Sequence, residues 1–333
     1  MRIVLATALV ASLAACAEDA NEVSEHDGFD DTALDGKADE SQASRRVVHT
    51  FSDKKLFPEG GAYDSVDRAF YVGSLQHGTV TRVDADGRES LFYAGTGEDK
   101  RYTLGMQVDA QRRALWVCTT KDSLGTIWIF DLESGARTAS IDLTQVNPEA
   151  ACNDVLLDGD TALVSDRENT HIYRIDEQRR VTVWAHDPLL GGSLVSLNSM
   201  VFTPDHKAVL TAVYLQPSLV RVSVANPRDV RRVKLSGDIF MDGFNVLNGP
   251  DDLMMTSNNQ LVVAFGSTLK RITPSDASWS AATVKSTRTI GGVTALVEAE
   301  GKLYGVNGQS VRFALGVPPN GFEIFEIDPA RLR

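Results

Sequence analysis

The stretch CNDVLLDGDTALVSDRENTHIYRID, residues 152–176, holds the pattern that decides the fold. A short alternating run leads into a turn at Asp158-Gly159, an apolar triplet (Ala162-Leu163-Val164), a second turn and another alternating run that ends in Asp176. β-Branched and aromatic residues at period two, separated by Gly and Asp turns, are typical of short β-strands. The stretch therefore predicts strands joined by tight turns.

The same unit occurs six times along the chain. Its apolar triplets are Phe70-Tyr71-Val72, Leu115-Trp116-Val117, Ala162-Leu163-Val164, Val209-Leu210-Thr211, Leu261-Val262-Val263 and Leu303-Tyr304-Gly305. Each unit has room for four strands. The sequence therefore predicts an all-β fold, a six-bladed β-propeller of four-stranded blades around a central channel, over residues 46–333. A tandem array of β-sandwiches is the alternative, and the lack of a linker within that range argues against it.

The N-terminus reads as an export signal. Residues 1–16, MRIVLATALVASLAAC, place one positive charge before a short apolar stretch and then small residues. Such a segment is too short to span a membrane and predicts a signal peptide over residues 1–15. The Leu13-Ala14-Ala15-Cys16 ending resembles a bacterial lipobox, which implies that Cys16 is lipidated. An ordinary signal peptide cut nearby is the alternative.

Residues 16–45 predict a flexible tether. Residues 17–44 carry ten acidic side chains against one basic side chain, Lys37, and account for most of the net charge of −12. So polar a segment cannot bury enough apolar surface to fold. We expect a monomer in the bacterial cell envelope, held by lipid alone. Ala17, after Cys16, favours the outer membrane, with the protein facing the periplasm or the surface. The acidic balance argues against a nucleic-acid partner.

One equivalent position in the six units is rich in oxygen ligands. Aligned on their first strands, the units place Glu59, Leu104, Asn153, Asn198, Asp251 and Val293 there, at spacings of 45, 49, 45, 53 and 42 residues. The first strand of a propeller blade is innermost, so four polar side chains are predicted to converge on the channel. Carboxylate and amide oxygens suit Ca²⁺ or another hard divalent cation. A hydrated polar channel, or Asn and Asp residues that serve turns, is the alternative.

These residues also carry a family resemblance. Pro58-Glu59-Gly60, Asn153-Asp154, Asn198-Ser199-Met200 and Pro250-Asp251-Asp252 are similar, in order and spacing, to motifs of the regucalcin/gluconolactonase (SMP-30/gluconolactonase/LRE-like) family. The resemblance implies hydrolysis of sugar lactones or related cyclic esters at a divalent-metal site. It implies that Glu59, Asn198 and Asp251 are direct metal ligands, and that Asn153 contacts substrate and reaches the metal, often through water. It makes Asp251 the general base.

The sequence also departs from the family pattern. Val155, Ser199 and Asp252 replace motif glycines, and Ala151 replaces a basic residue expected to contact substrate. Asp252 is either a second carboxylate at the rim, able to bind substrate, or faces away, since strand neighbours alternate. The expected function is thus a metal-dependent lactonase-like hydrolase acting on a small molecule. A non-catalytic ligand- or protein-binding propeller lipoprotein is the alternative. A strictosidine-synthase-like or paraoxonase-like propeller is a weaker one.

Two cysteines remain after Cys16. Cys118 and Cys152 lie in neighbouring units, and Cys152 precedes Asn153. An exported protein allows a disulfide between them. Two buried thiols are the simpler expectation.

Overall fold

The computed structural model describes residues 46–95, 100–191, 196–214, 218–238, 240, 249–265, 268–288 and 292–328. The predicted signal peptide, the predicted lipidation site Cys16 and the predicted acidic tether lie outside the described residues. Among the helices that are described, none combines the length and the hydrophobicity needed to cross a bilayer.

The predicted six-bladed propeller is confirmed, since the described strands form six sheets. In blades one to three they are β2 Gly61–Asp64, β3 Ala69–Gly73, β4 Val80–Val83, β5 Glu89–Tyr93, β6 Tyr102–Asp109, β7 Ala114–Lys121, β8 Leu124–Asp131, β9 Arg137–Asp142, β10 Cys152–Asp158, β11 Thr161–Asp166, β12 His171–Ile175 and β13 Val181–His186. In blades four to six they are β14 Leu197–Phe202, β15 Ala208–Val213, β16 Ser218–Ser223, β17 Val230–Arg232, β18 Lys234–Gly237, β19 Pro250–Met255, β20 Leu261–Phe265, β21 Thr268–Pro274, β22 Ala281–Arg288, β23 Val293–Ala299, β24 Lys302–Asn307, β25 Glu323–Ile327 and β1 Arg46–Thr50. One short helix, α1 (Ser310–Leu315), follows β24.

The ring is closed by the two ends of the described chain. β1 pairs antiparallel with β25, so the strand that comes first in sequence is the outermost strand of blade six. Behind this seam Phe57 packs on Phe322 with ring centroids 5.1 Å apart, and both rings are buried. Burying each such ring stabilises the fold by roughly 1.5–3 kcal/mol. The closure therefore joins the last blade to the segment that leads into the first.

Blade five differs from the predicted four-stranded pattern. A fifth strand, β18, adds to its outer edge and pairs in parallel with β22. β18 precedes the other strands of this blade in sequence, but it is the outermost strand of the sheet. The remaining blades follow the predicted order of four strands.

Two carboxylates on innermost strands, Asp64 and Glu298, hold neighbouring blades together at the end of the channel away from the mouth. Arg113 of blade two donates to both carboxylate oxygens of the fully buried Asp64 of blade one, at 2.7 and 2.6 Å. Glu298 of blade six accepts the backbone N–H of Ser257 of blade five, at 2.9 Å. Their role is structural, because each one satisfies donors from the adjacent blade.

Cys118 and Cys152 form a disulfide, so the expectation of two free buried thiols is wrong. The bond joins β7 of blade two to β10 of blade three, with 5.9 Å between the Cα atoms and a sequence separation of 34. The sequence could not decide the pairing, because it depends on which side chains face each other across a blade interface. The bond fixes the start of β10, one residue before Asn153.

We expect loss of this disulfide to lower the free energy of unfolding by about 3–4 kcal/mol, as loop-closure entropy predicts for a closed loop of this length. The measurement is urea unfolding of the oxidised protein and of the Cys118→Ala/Cys152→Ala variant. A reductant serves as the control: it should destabilise the wild type and leave the variant unchanged. Equal unfolding midpoints for the wild type with and without reductant would contradict the prediction.

Candidate functional site

The polar residues of the channel mouth lie on β-bulges at the starts of the innermost strands. Pairing between β10 and β11 is interrupted between Cys152 and Val155, and pairing between β14 and β15 between Leu197 and Met200. A similar shift separates Pro250 from Asp252 on β19. A bulge re-aims side chains that simple alternation would send to opposite faces. Consecutive residues can therefore face the channel.

Three of the four predicted ligands are joined by hydrogen bonds around the mouth. The Asn153 Nδ2 donates to Asn198 Oδ1 at 2.5 Å, and Asn198 Nδ2 donates to Asp251 Oδ1 at 3.2 Å. The chain continues to blade six, where the Ser310 hydroxyl at the start of α1 donates to Asp251 Oδ2 at 3.4 Å. We call Glu59, Asn153, Asn198 and Asp251 the upper ring. Blades three, four and five thus bring their predicted ligands together.

Glu59 reaches the same place from the segment before β2. The Gly73 N–H of blade one donates to Gly60 O at 3.0 Å, and the Thr294 hydroxyl of blade six donates to Pro58 O at 3.0 Å. Both bonds fix the backbone on either side of Glu59. Its Oε2 is buried and has no hydrogen-bond partner among the described residues. An unpartnered buried carboxylate oxygen is costly, and a bound ion or water is one way of satisfying it.

The upper ring is electrostatically crowded. Burial raises the pKa of Glu59 well above its usual value, and the neighbouring Asp251 carboxylate raises it further. Burial also raises the pKa of Asp251 to about 7. Carboxylates held this close keep protons unless a cation neutralises them. The ring therefore favours protons or a bound cation at neutral pH.

A second set of polar residues lies one position further along the strands. The Ser199 hydroxyl donates to Asp154 Oδ2 at 3.0 Å, while Asp252 accepts the backbone N–H groups of Leu253 and Leu296 at 2.7 and 2.6 Å. We call Asp154, Ser199 and Asp252 the lower tier. Burial raises the pKa values of Asp154 to about 6 and of Asp252 to about 8. Asp252 thus lines the channel instead of facing away. Because backbone amides occupy both of its oxygens, its substrate-binding role stays a prediction.

The upper ring fits a hard divalent cation better than it fits a transition metal. Its donors are two carboxylates and two amides, which are the oxygen ligands that Ca²⁺ prefers. Within the described ranges, no three His, Cys, Asp or Glu side chains are grouped so as to hold a metal by themselves. Any metal bound here would thus depend on the amides of Asn153 and Asn198. The ring opens into a channel cavity of about 580 Å³.

Sequence analysis missed Arg167, Tyr214 and Ser310. Burial raises the pKa of Tyr214, and the charge of the Asp251 carboxylate adds to the effect. Each of these residues follows the second strand of its blade, where no repeat alignment points. The only sequence feature that pointed towards Arg167 was Ala151, which stands where a basic residue was expected. In the structure the backbone N–H of Arg167 donates to Ala151 O at 2.8 Å.

The comparisons with known proteins agree with this fold. A family model described as the SMP-30/Gluconolactonase/LRE-like region matches residues 57–294. A search of curated proteins finds no match. Similar solved structures include the major allergen Mala s 1 of Malassezia sympodialis, with a TM-score of 0.68 and 19% identity over 85% of this chain and 96% of that one.

Two further solved structures carry the same fold. A gluconolactonase from Xanthomonas campestris has a TM-score of 0.61 and 16% identity, over 87% of this chain and 93% of that one. A virginiamycin B lyase from Staphylococcus aureus has a TM-score of 0.56 and 14% identity, over 78% of this chain and 80% of that one. At these identities the likeness establishes the fold alone, and function must be argued from the site.

Proposed function

Because the chain belongs to the SMP-30/gluconolactonase/LRE-like family, we propose that it is a metal-dependent hydrolase of lactones or related cyclic esters. The observation that carries the proposal is the convergence of Glu59, Asn153, Asn198 and Asp251, from four separate blades, on one mouth of the channel. The unpartnered Oε2 of Glu59 and the hydrogen-bonded chain from Asn153 to Asp251 support it.

The metal we propose is Ca²⁺ or another hard divalent cation. Glu59, Asn198 and Asp251 would hold it, with Asn153 at its edge. When bound, such a cation supplies Lewis-acid stabilisation of the negative charge that develops on the carbonyl oxygen of the substrate. The two carboxylates balance its charge, which removes the repulsion between Glu59 and Asp251.

Asp251 is the proposed general base. It accepts a proton from the water that attacks the lactone carbonyl, and returns it to the ring oxygen when the carbon–oxygen bond breaks, so that a hydroxy acid leaves. The Asn198 amide and the Ser310 hydroxyl contact different oxygens of this carboxylate, at 3.2 and 3.4 Å, and fix its plane. Asn153 is placed to orient the substrate. Each role belongs to a side chain at the channel mouth.

A non-catalytic binding propeller is the second candidate. Ser199 and Asp252 stand where the family has glycine, and their side chains add bulk to the channel lining just below the upper ring. A narrower channel favours binding without turnover.

Under either reading we propose a lipid-anchored protein of the bacterial envelope. The described chain begins at β1 on the outer edge of blade six, so the proposed tether joins the propeller at an outermost strand.

The deciding experiment combines a binding assay with a substrate panel. We expect Ca²⁺ at 100 times its dissociation constant to stabilise the chelator-treated protein by about 2.7 kcal/mol. We also expect lactone hydrolysis that chelator abolishes and the metal restores, measured as acid release against a protein-free blank. Metal-dependent stabilisation without turnover of any lactone would favour the binding propeller. Turnover that survives complete removal of metal would contradict the metal-dependent mechanism.

A further inference from the structure

Arg167 is a cation at the channel mouth that the proposed chemistry does not use. It follows β11 directly, and the last residue of β11, Asp166, pairs with Cys152, the neighbour of Asn153. The Arg167 backbone is held by two bonds: its N–H donates to Ala151 O at 2.8 Å, and its carbonyl accepts from Ser196 N at 2.5 Å. The backbone of Arg167 therefore lies at the same end of the channel as the upper ring.

Asp166 rigidifies the turn on which Arg167 lies. Its Oδ1 accepts the N–H groups of Glu168 and Asn169, both at 3.0 Å, and its Oδ2 accepts the Tyr173 hydroxyl at 2.6 Å. The Asn147 amide in turn donates to that hydroxyl at 2.8 Å. These contacts occupy Asp166, so the carboxylate next to Arg167 in sequence does not pair with it. The turn is preorganised, and its cation is left for another partner.

One donor of the Arg167 guanidinium is unpartnered among the described residues. Its Nε–H is buried and donates to no acceptor there, although the residue as a whole is partly exposed. Burial and the Asp251 carboxylate are the two largest influences on the pKa of Glu59, and both raise it. Arg167 acts in the opposite direction and lowers this pKa. Glu59 belongs to the first blade and Arg167 to the third. The charge of Arg167 therefore acts across the mouth.

The charges at the mouth favour an anionic ligand. Glu59 and Asp251 together carry two negative charges when ionised, and a divalent cation would balance them. Arg167 would then be a positive charge at the mouth that neither carboxylate of the upper ring neutralises. A guanidinium presents paired N–H donors that match the oxygens of a carboxylate or a phosphate. A buried donor without a partner discriminates strongly against ligands that leave it unpaired.

We propose that Arg167 determines substrate specificity by binding an anionic group, a carboxylate or a phosphate, on the lactone or cyclic ester. The hydrolysis step in this inference rests on the proposed function. The anion-binding role of Arg167 does not depend on it. The substrate class is thus an acidic lactone that carries its own charge before hydrolysis, and neutral sugar lactones are poor substrates.

The test compares the wild type with Arg167→Gln and Arg167→Lys on three lactones. Saccharolactone carries a carboxylate, phosphogluconolactone carries a phosphate, and gluconolactone is neutral. We expect Arg167→Gln to lower kcat/KM for the better of the two charged lactones by about 10- to 100-fold, mainly through KM, the effect of losing a charge-assisted hydrogen bond. Activity on gluconolactone, which offers no anionic group, should fall by a clearly smaller factor. Arg167→Lys should recover part of the loss, because lysine keeps the positive charge but lacks the paired N–H donors of the guanidinium.

The control variant is Arg174→Gln, which removes the same charge from an exposed position on β12 of the same blade. It should leave all three rates unchanged. The preference between saccharolactone and phosphogluconolactone identifies the anion. Equal losses on charged and neutral lactones would overturn the proposal, because they would mean that Arg167 only supports the structure of the mouth.

A binding measurement separates this inference from the proposed function. In calorimetry on the metal-loaded protein, glucarate, with its second carboxylate, should bind the wild type more tightly than gluconate, and Arg167→Gln should lose only that difference. If no lactone is hydrolysed but this pattern is found, the hydrolase proposal fails and the role of Arg167 stands. If lactones are hydrolysed but glucarate has no advantage over gluconate in the wild type, the role of Arg167 is refuted and the hydrolase stands.

Discussion

Replacing Asp251 by asparagine is expected to lower kcat/KM for lactone hydrolysis by about 10²–10⁴-fold, the usual contribution of a positioned general base. The substitution keeps the shape of the side chain and an oxygen that can accept from Asn198 Nδ2, now 3.2 Å from Asp251 Oδ1. It removes the negative charge and the basic oxygen. The loss should therefore appear in activity and metal binding, and not in folding.

The pH profile adds an independent measure of the same residue. Burial raises the pKa of Asp251 to about 7 in the metal-free protein, and a bound cation would lower it again by favouring the charged form. For the metal-loaded wild type we expect kcat/KM to fall on the acid side, with a midpoint below pH 7. In Asp251→Asn this acid limb should be absent from whatever activity remains.

The control for Asp251→Asn is Asp158→Asn, at the opposite end of an innermost strand. Asp158 is exposed at the end of β10, so its substitution makes the same chemical change far from the mouth. It should leave the rate and the profile unaltered. If Asp251→Asn retained near wild-type activity with its acid limb intact, Asp251 would play no part in proton transfer.

The repeat made the fold predictable. Every apolar triplet of the sequence lies in the second strand of its blade, as Val72 does in β3 and Val164 in β11. Short alternating strands bury their apolar faces between blades, so this pattern depends on local sequence alone. The parallel strand β18 and the closure by β1 depend on pairing between distant segments. The sequence of either strand contains no information about its partner.

The site was only partly predictable for the same reason. Equivalent positions in equivalent blades must converge at a shared axis, and so Asn153, Asn198 and Asp251 came together as their spacing suggested. The bulges that turn Asp252 into the channel depend on the pairing of β19 with β20, which residue types do not reveal. Arg167 belongs to no repeat position. Its place is set by the turn that Asp166 forms within blade three and by Ser196 at the start of blade four, a contact that forms only when the blades assemble.

Replacing Glu59 by glutamine is expected to change stability in opposite directions with and without metal. Burial and the Asp251 carboxylate raise the pKa of Glu59 in the folded protein, and burial raises that of Asp251 to about 7. Between the unfolded pKa values, near 4, and the folded ones, the folded state therefore holds more protons than the unfolded state. Stability of the metal-free protein should be greatest at the acid end of that window and fall as pH rises.

Each proton held only by the folded state contributes a slope of about 1.4 kcal/mol per pH unit. Glu59→Gln removes one of these groups, so the metal-free variant should lose stability less steeply than the wild type as pH rises above the unfolded pKa, in roughly this proportion. At pH 8 it should be the more stable of the two without metal. With Ca²⁺ the order should reverse, because the variant lacks a charged ligand and the metal stabilises only a site that binds it.

The measurement is the unfolding midpoint in urea at several pH values, in chelator and in Ca²⁺, with Glu177→Gln as the control. Glu177 is exposed in a turn of blade three, so its neutralisation should shift neither the slope nor the metal response. A general effect of charge on a protein of net charge −12 would move both variants alike. Only a cation held by Glu59 makes one substitution stabilising in chelator and destabilising in metal. If Glu59→Gln kept the full response to Ca²⁺, the ion would bind elsewhere and the upper ring would be no more than a protonated polar channel.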